Sequence, residues 1–274
     1  MTQRFDQTTV IITGASQGVG AATARQFARL GANLVLIARG LENLQALEHE
    51  LDLGERCQVV AMDVLELDRF EALLVELKAR FGSVDILVNN AGFHQRGPAE
   101  TVSADDLGKM VDVNLKAPIM MTRMMLPYLR ASKRPAVINV ASLAGRTPVP
   151  GSATYSATKF GLRAFGLALA EELRGSGIKI ASVSPGPIDT GFIMDDIDSV
   201  TDLTFSQPIS TAEQVAEAIA HLVDNSILDL PMPRLSGLLT TVSYLFPGLG
   251  RTLRPMLEKK GRKTKARLKQ ERKP

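Results

Sequence analysis

The segment that most constrains the fold is a glycine-rich turn between an apolar run and a helix-forming run near the start of the chain. Residues 8–13 are rich in β-branched side chains, residues 14–20 read GASQGVG, and residues 21–30 favour a helix. A second apolar run at 33–38 follows. Glycines at such a junction allow a tight turn and let the backbone approach phosphate groups at a helix N-terminus. The segment therefore predicts a parallel βαβ unit with a phosphate-binding first turn.

The alternation of apolar runs and helix-forming stretches continues along the chain. Runs that are apolar throughout suit strands of a parallel sheet covered by helices on both faces, and right-handed crossovers build such strands into a doubly wound sheet. We therefore expect an α/β fold, a single Rossmann-like domain whose ligand crevice lies at the carboxyl ends of the strands. Further strands are predicted near residues 58–61, 85–88, 136–140 and 178–183.

Cysteine and histidine usage narrows the classes of protein. Cys57 is the one cysteine, so neither an intrachain disulfide nor a thiolate metal cluster is expected. His49, His94 and His221 form no ligand pair at metal spacing, and no metal is expected. Because residues 1–7 hold no apolar signal core and no later run reaches a spanning length, a cytoplasmic location is expected.

Polar motifs follow the predicted strands in a recognisable order. The motifs are Asp63-Val64 after the third strand, Asn89-Asn90-Ala91-Gly92 after the fourth, Asn114 in the next helix, Ser142 at the end of the fifth, Tyr155 and Lys159 opening a helix, and Ser184 to Thr190 after the sixth. Together with the Gly-x-x-x-Gly-x-Gly turn, they resemble the short-chain dehydrogenase/reductase family over about residues 8–225.

Tyr155 and Lys159 suggest acid–base chemistry. Residues four apart on a helix share one face, so both side chains can reach one ligand. An ammonium nearby favours the phenolate and is expected to lower the pKa of Tyr155 from about 10, which makes it a competent general acid or base. Ser142 could donate a hydrogen bond to a substrate oxygen as negative charge develops there. The resemblance implies that Asn114 holds a water linking Lys159 to solvent, and that Lys159 bonds the nicotinamide ribose.

The resemblance also implies a nicotinamide dinucleotide, and the end of the second predicted strand indicates which one. Ala38 and Arg39 stand there instead of a carboxylate, and a guanidinium suits a 2′-phosphate, so NADP is expected over NAD. Gln17 occupies a loop position where some NADP-dependent relatives have a second basic residue. The expected cofactor contacts are Gly14, Ser16, Gln17, Gly18, Val19, Gly20, Arg39, Asp63, Val64, Asn90, Ala91, Gly92, Tyr155, Lys159, Pro185, Gly186, Ile188 and Thr190.

The expected reaction is hydride transfer between NADP(H) and a carbonyl compound or its alcohol, with Tyr155 exchanging the proton. Apolar residues after Thr190, namely Phe192, Ile193, Met194 and later Phe205, suggest a hydrophobic substrate. Two alternatives stay open. One is a dinucleotide-binding regulator or scaffold without turnover, and the other is an epimerase or dehydratase on the same fold.

The C-terminal part departs from the family pattern. Residues 1–225 are predicted to be the catalytic domain, 226–250 an apolar segment on the substrate side, and 251–274 a basic tail with eleven Lys/Arg against two Asp/Glu. Either the apolar segment covers the cleft and the tail is a solvated, partly disordered helix, or the two together contact a membrane peripherally. No nucleic acid is expected, because the basic run lacks interleaved aromatic residues. The resemblance implies that the helices at 103–131 and 153–173 form the interface of a homodimer or a higher homo-oligomer.

Overall fold

Seven parallel strands form one sheet in the computed structural model, which describes residues 4–271. The strand order is β3-β2-β1-β4-β5-β6-β7, so the direction of winding reverses between β1 and β4, where a ligand crevice forms in doubly wound sheets. The strands are β1 Thr9–Thr13, β2 Asn33–Ala38, β3 Cys57–Ala61, β4 Ile86–Asn89, β5 Ala136–Val140, β6 Lys179–Pro185 and β7 Asp229–Met232.

Helices cover both faces of the sheet and then extend beyond its last strand. They are α1 Gly18–Arg29, α2 Leu41–Leu51, α3 Leu67–Phe81, α4 Ala104–Val111, α5 Ala117–Arg130, α6 Ala153–Glu172, α7 Gly191–Met194, α8 Ala212–Val223, α9 Arg234–Leu245 and α10 Pro247–Glu271. Short 3-10 turns lie at Gly54–Arg56, Leu143–Gly145 and Thr204–Ser206. No helix within residues 4–271 is long and apolar enough to cross a membrane.

The apolar strands supply two separate core layers because successive side chains of a strand point to opposite faces. In β1, Val10 and Ile12 join the layer that contains Phe27 of α1, whereas Ile11 joins the layer that contains Phe70 of α3. Both layers are fully buried at these positions. This packing explains why the strands are continuously apolar, and the predicted doubly wound parallel sheet is confirmed.

The helix predicted at 103–131 contains a widened turn. Residues Asp112–Lys116 form a π-helical turn between α4 and α5, with no break in the helical path. Such turns occur mostly as single insertions inside α-helices and are frequent at functional sites. Asn114 lies in this turn and is fully buried.

The sheet does not end at the boundary expected at residue 225. β7 pairs in parallel with β6, so the last strand comes from residues 226–250, which were predicted to be an apolar segment on the substrate side. Pro231 lies inside β7, which is tolerated because β7 is an edge strand and its outer side needs no donor. The short final strand typical of the resembled family is therefore present here without its glycines.

The basic tail is helical throughout its described part, and residues 272–274 of that segment lie outside the described residues. Its second half packs on the turn at Thr204–Ser206. A Cβ at Gly261 would lie 1.7 Å from the Asp202 carbonyl oxygen, so glycine is required for this close approach. Arg262 and Lys265 pair with Asp202, and Lys269 pairs with Asp198. The tail thus joins the body of the protein through specific contacts.

Candidate active site

A cleft of about 1560 Å³ opens at the carboxyl ends of the strands. It brings together predicted residues from seven separate places in the chain. The predicted residues that line it are Gly14, Ser16, Gln17, Gly18, Val19, Arg39, Asp63, Val64, Asn90, Ala91, Gly92, Ser142, Tyr155, Lys159, Pro185, Gly186, Ile188 and Thr190. Gly20 and Asn114 are buried behind this surface instead.

The glycine loop presents free backbone donors to the cleft. Gly14 and Gly18 adopt positive φ angles of 65° and 54°, which turn the chain from β1 into α1. The N-cap residue Gln17 makes no side-chain hydrogen bond to α1, and the first turn carries no acidic residue. The first N–H groups of a helix lack intrahelical partners and favour an anion. The loop therefore fits the pyrophosphate of a dinucleotide.

The Asn89-Asn90-Ala91-Gly92 loop is fastened to the glycine loop. The backbone N–H groups of Asn90 and Ala91 each donate to Thr13 Oγ1 at 3.0 Å. Asn90 Nδ2 donates to the carbonyls of Thr13 at 2.9 Å and Gly14 at 3.1 Å. The ends of β1 and β4 are thereby held together, which fixes the position of the loop that lines the centre of the cleft.

Asn114 braces this loop from the other side. The N–H of Phe93 donates to Asn114 Oδ1 at 3.0 Å, and Asn114 Nδ2 donates to the Phe93 carbonyl at 2.8 Å. A Cβ placed on Gly92 would lie 3.0 Å from Asn114 Oδ1 and 3.6 Å from Lys159 Nζ, so both groups approach the same glycine. Asn114 is therefore positioned beside Lys159, and two of its described hydrogen bonds hold the backbone at Phe93, while a third, at 3.5 Å, reaches Thr158 Oγ1.

Tyr155 and Lys159 lie on one face at the start of α6, as their spacing predicts. Lys159 Nζ is 5.8 Å from the centre of the Tyr155 ring and donates to the Val140 carbonyl at 2.8 Å. Burial lowers the pKa of the Lys159 ammonium to about 8. Burial also raises the pKa of Tyr155, whereas a hydrogen bond with Ser142 and the charge of Arg96 act to lower it.

This electrostatic balance differs from the expectation that Lys159 lowers the pKa of Tyr155. The cause is that the buried ammonium is itself destabilised and is directed to a backbone carbonyl, so burial dominates at the phenol. Ser142 lies at the end of β5 with its Oγ accepting from the Ala144 N–H at 3.1 Å. Its hydroxyl hydrogen therefore stays available for Tyr155 or for a ligand oxygen.

His94 lines the cleft beside Tyr155, a contact that no sequence motif predicted. Its imidazole stacks on the Tyr155 ring with centroids 4.1 Å apart and an angle of 14° between the planes. Burial, with the charges of Arg96 and Lys159, lowers the pKa of His94 to about 3, so the ring is neutral. Its Nε2 is buried without a hydrogen-bond partner among the described residues. A neutral stacked ring thus fixes the plane of Tyr155.

Arg96 was not predicted at all, because nothing in the sequence after the Asn-Asn-Ala-Gly motif distinguishes it from a surface charge. Its guanidinium donates to the Phe192 carbonyl at 2.8 Å and lies over the Phe192 ring, 5.4 Å from the centroid. Phe192 and Ile193 line the cleft as expected. Ile193 also belongs, with Met194 and Phe205, to a small buried apolar cluster that packs against Leu268 of α10. Three of the four residues of the expected apolar lid therefore pack against the tail.

The end of β2 fits a phosphorylated ribose. Arg39 is exposed, lines the cleft, and makes no ion pair with a described residue. Asp63, an acidic residue that also lines the cleft, accepts a hydrogen bond from the Leu65 N–H at 3.0 Å through one carboxylate oxygen. A free guanidinium next to the dinucleotide groove is suited to a 2′-phosphate.

Comparisons with known proteins agree with this geometry. The sequence pattern of the family described as short chain dehydrogenase matches residues 8–200. A serine 3-dehydrogenase of Agrobacterium fabrum is 38% identical over 187 residues, which are 68% of this chain and 74% of the relative. An NADP-dependent 3-hydroxy acid dehydrogenase of Escherichia coli is 32% identical over 238 residues, which are 81% of this chain and 94% of the relative.

Solved structures give the same result. The crystal structure of a metagenomic short-chain oxidoreductase in complex with NADP is similar with a TM-score of 0.70 and 32% identity, over 83% of this chain and 98% of that one. A short-chain dehydrogenase/reductase from Brucella melitensis is similar with a TM-score of 0.76 and 28% identity, over 84% and 96% of the two chains. The family, the fold and the class of enzyme are confirmed: this chain belongs to the short-chain dehydrogenase/reductase family of oxidoreductases that act on CH–OH groups.

Proposed function

We propose that the protein is an NADP(H)-dependent oxidoreductase that interconverts a hydrophobic aldehyde or ketone and its alcohol, with Tyr155 as the acid–base group. The observation that carries the proposal is the convergence of Tyr155, Ser142 and Lys159 beside a dinucleotide groove whose ribose end holds Arg39. The bound cofactor supplies or accepts the hydride. Known relatives support the cofactor, since one is NADP-dependent and one solved neighbour holds NADP.

Tyr155 can act as a proton donor near neutral pH. Because burial raises the pKa of Tyr155, its phenol stays protonated, and the protonated phenol is the form that donates a proton to a carbonyl oxygen. Ser142 provides a second hydroxyl toward the same oxygen, which stabilises negative charge as it develops. Because the pKa of Lys159 is about 8, its ammonium group can return a proton to Tyr155 after turnover.

The lining of the cleft beyond these groups supports a hydrophobic substrate. Apolar side chains from four parts of the chain line the same cleft as Tyr155 and Ser142. They are Leu143, Pro148 and Val149 after β5, Phe192 and Ile193 of α7, Leu203, and Leu239 and Val242 of α9. Such a surface gains free energy by excluding water from an apolar body, about 25 cal/mol per Å² buried.

The test is consumption of NADPH and of NADH by the purified protein against a panel of apolar aldehydes and ketones. Tyr155→Phe removes the hydroxyl while keeping the ring that stacks on His94. Tyr128→Phe is the matched control, because Tyr128 lies on α5 and does not line the cleft. Turnover that Tyr155→Phe abolishes and Tyr128→Phe keeps would support the proposal, and equal turnover in both variants would refute it.

Two alternatives make different predictions in the same assay. A dinucleotide-binding regulator or scaffold would bind NADPH with no turnover, and Tyr155→Phe would leave its cellular role intact. An epimerase or dehydratase would convert substrate without net consumption of NADPH. The reductase hypothesis is preferred because named relatives are dehydrogenases, and its support in the site is that Ser142 and Lys159 both lie next to Tyr155.

The assembly state and location belong to the same proposal. We propose a homodimer formed by α4–α5 and α6, where Val111 and Met120 are exposed, 41% and 38% respectively. Val111→Lys with Met120→Lys should then halve the mass measured by light scattering. Peripheral contact with a membrane is also proposed, on the side of the molecule where α9 and α10 lie.

A further inference from the structure

Exposed apolar side chains are concentrated in one short segment. Nine of the fifteen large apolar side chains that are exposed among residues 4–271 lie between residues 235 and 256. Single exposed apolar residues are ordinary on protein surfaces, but a contiguous group marks a contact surface. The members are Leu235, Leu238, Leu239, Tyr244, Leu245, Phe246, Leu249, Leu253 and Met256, and we call them the apolar surface.

The orientation of α9 is set by close packing on its opposite face. Ser236, Gly237 and Thr240 are buried, whereas Leu235, Leu238 and Leu245 are 67%, 60% and 64% exposed. A Cβ on Gly237 would come within 2.1 Å of the Pro231 Cβ in β7, so only glycine allows this contact. The usual polarity of a surface helix is therefore inverted, with small polar residues inward and leucines outward.

Cations border the apolar surface. Arg251, Lys259 and Lys260 of α10 make no ion pair with a described residue, whereas Lys265 and Lys269 farther along α10 are tied to Asp202 and Asp198. These three cations lie on the half of α10 that carries Leu253 and Met256. Lys263 also makes no ion pair with a described residue, but it lies on the other half, which Lys265 and Lys269 hold to the body of the protein. The apolar surface therefore has a positive margin at Arg251, Lys259 and Lys260.

The apolar surface continues into the cleft. Leu239, Tyr244, Leu249, Leu253 and Met256 are exposed and also line the cleft. The Tyr244 ring contacts Phe160 of α6, with centroids 5.3 Å apart, which places the end of α9 beside the helix that bears Tyr155. A ligand can therefore pass from the apolar surface toward Tyr155 along apolar side chains.

We propose that the apolar surface docks on an anionic lipid bilayer and that the carbonyl substrate enters the cleft from the bilayer. The second part, which identifies the substrate as a compound that partitions into lipid, rests on the proposed reductase function. Leucines entering the acyl region and cations at the headgroups together stabilise such contact. A second copy of the chain fits less well, because a two-fold contact would bring the positive margins of the two copies close together, where their charges would repel.

Docking is tested by flotation with vesicles of phosphatidylcholine alone or with phosphatidylglycerol. The wild type should float with the anionic vesicles. The triple variant Leu235→Ser, Leu238→Ser and Leu245→Ser changes residues that do not line the cleft, and it should partition at least about tenfold less. The matched control is Leu41→Ser, Leu65→Ser and Val75→Ser, exposed residues outside the apolar surface, which should bind like the wild type.

Substrate entry is tested by turnover of an apolar aldehyde held in vesicles against a short water-soluble aldehyde. The triple variant should lose turnover of the first and keep turnover of the second. Equal flotation of wild type and triple variant, or no flotation of the wild type, would overturn docking. A halved solution mass of the triple variant, without flotation of the wild type, would assign the surface to a contact between copies. Flotation without NADPH oxidation on any aldehyde would support docking and overturn the substrate route and the reductase function.

Discussion

Arg39 offers the sharpest test of cofactor choice. Its side chain is exposed and makes no ion pair with a described residue, so replacing it leaves no buried group unpaired. Arg39→Ser should therefore leave the free energy of unfolding nearly unchanged. Any effect on turnover then reports on the cofactor itself.

The size of the effect follows from the exposure of the guanidinium. A hydrogen bond to a charged group contributes about 1.5–3 kcal/mol, and solvent screening at an exposed site favours the lower end. Because 1.4 kcal/mol corresponds to a factor of ten, kcat/KM for NADPH should fall about tenfold in Arg39→Ser. For NADH, which lacks the 2′-phosphate, it should change less than about threefold. Arg39→Glu adds repulsion of the phosphate and should lower the NADPH value further.

The assay is steady-state kinetics with each cofactor at a saturating carbonyl substrate. Arg29→Ser is the matched control, because Arg29 is also exposed but lies in the last turn of α1, outside the cleft. Equal losses with NADPH and NADH in Arg39→Ser would refute the reasoning, since they would show that Arg39 supports the site without contacting a 2′-phosphate.

Three further predictions concern the groups around Tyr155. The folded pKa of Lys159, about 8, lies below the unfolded value of about 10.4, so the folded state becomes more stable as pH rises from about 8 to about 10. In urea unfolding, the free energy of unfolding of the wild type should rise by about 2–3 kcal/mol relative to that of Lys159→Met between pH 7 and 10. The same pH dependence of unfolding free energy in both proteins would contradict this. Asn114→Leu leaves the N–H and carbonyl of Phe93 without their side-chain partner and should lower the free energy of unfolding by about 2–4 kcal/mol. An unchanged denaturation midpoint would show that the loop does not depend on Asn114 for its conformation. His94→Phe should keep most of kcat because it keeps the stacked ring, while His94→Ala should lose about three- to tenfold; equal loss in both would assign the role to Nε2.

The parts that could be predicted from the sequence are those with local causes. Continuous β-branched runs indicate buried strands, and the loops that follow them carry short motifs. The succession of β1 to β6 along the chain and the meeting of Gly14, Asn90 and Tyr155 in one cleft could therefore be foreseen. Both depend on chain topology rather than on side-chain detail.

The parts that could not be predicted depend on contacts between distant segments. Pro231 argues against a strand until β7 is seen to be an edge strand, and nothing in the sequence pairs His94 with the Tyr155 ring. The raised pKa of Tyr155 likewise reflects burial that only the folded chain creates. The composition of the tail indicates charge, whereas its packing depends on Gly261 meeting the Asp202 carbonyl.

The widened turn at Asp112–Lys116 absorbs one residue more than an ordinary α-helical turn holds. Deleting Val113 there would restore an ordinary turn and leave the helix after it on its present face. Deleting Arg123 inside regular α5 would instead rotate everything after it by about 100°, and Met125 and Leu129 would leave the core face although no side chain had been substituted. A scan of single-residue deletions should therefore find the regular part of α5 less tolerant than the widened turn, which acts as a reserve of chain length inside the helix.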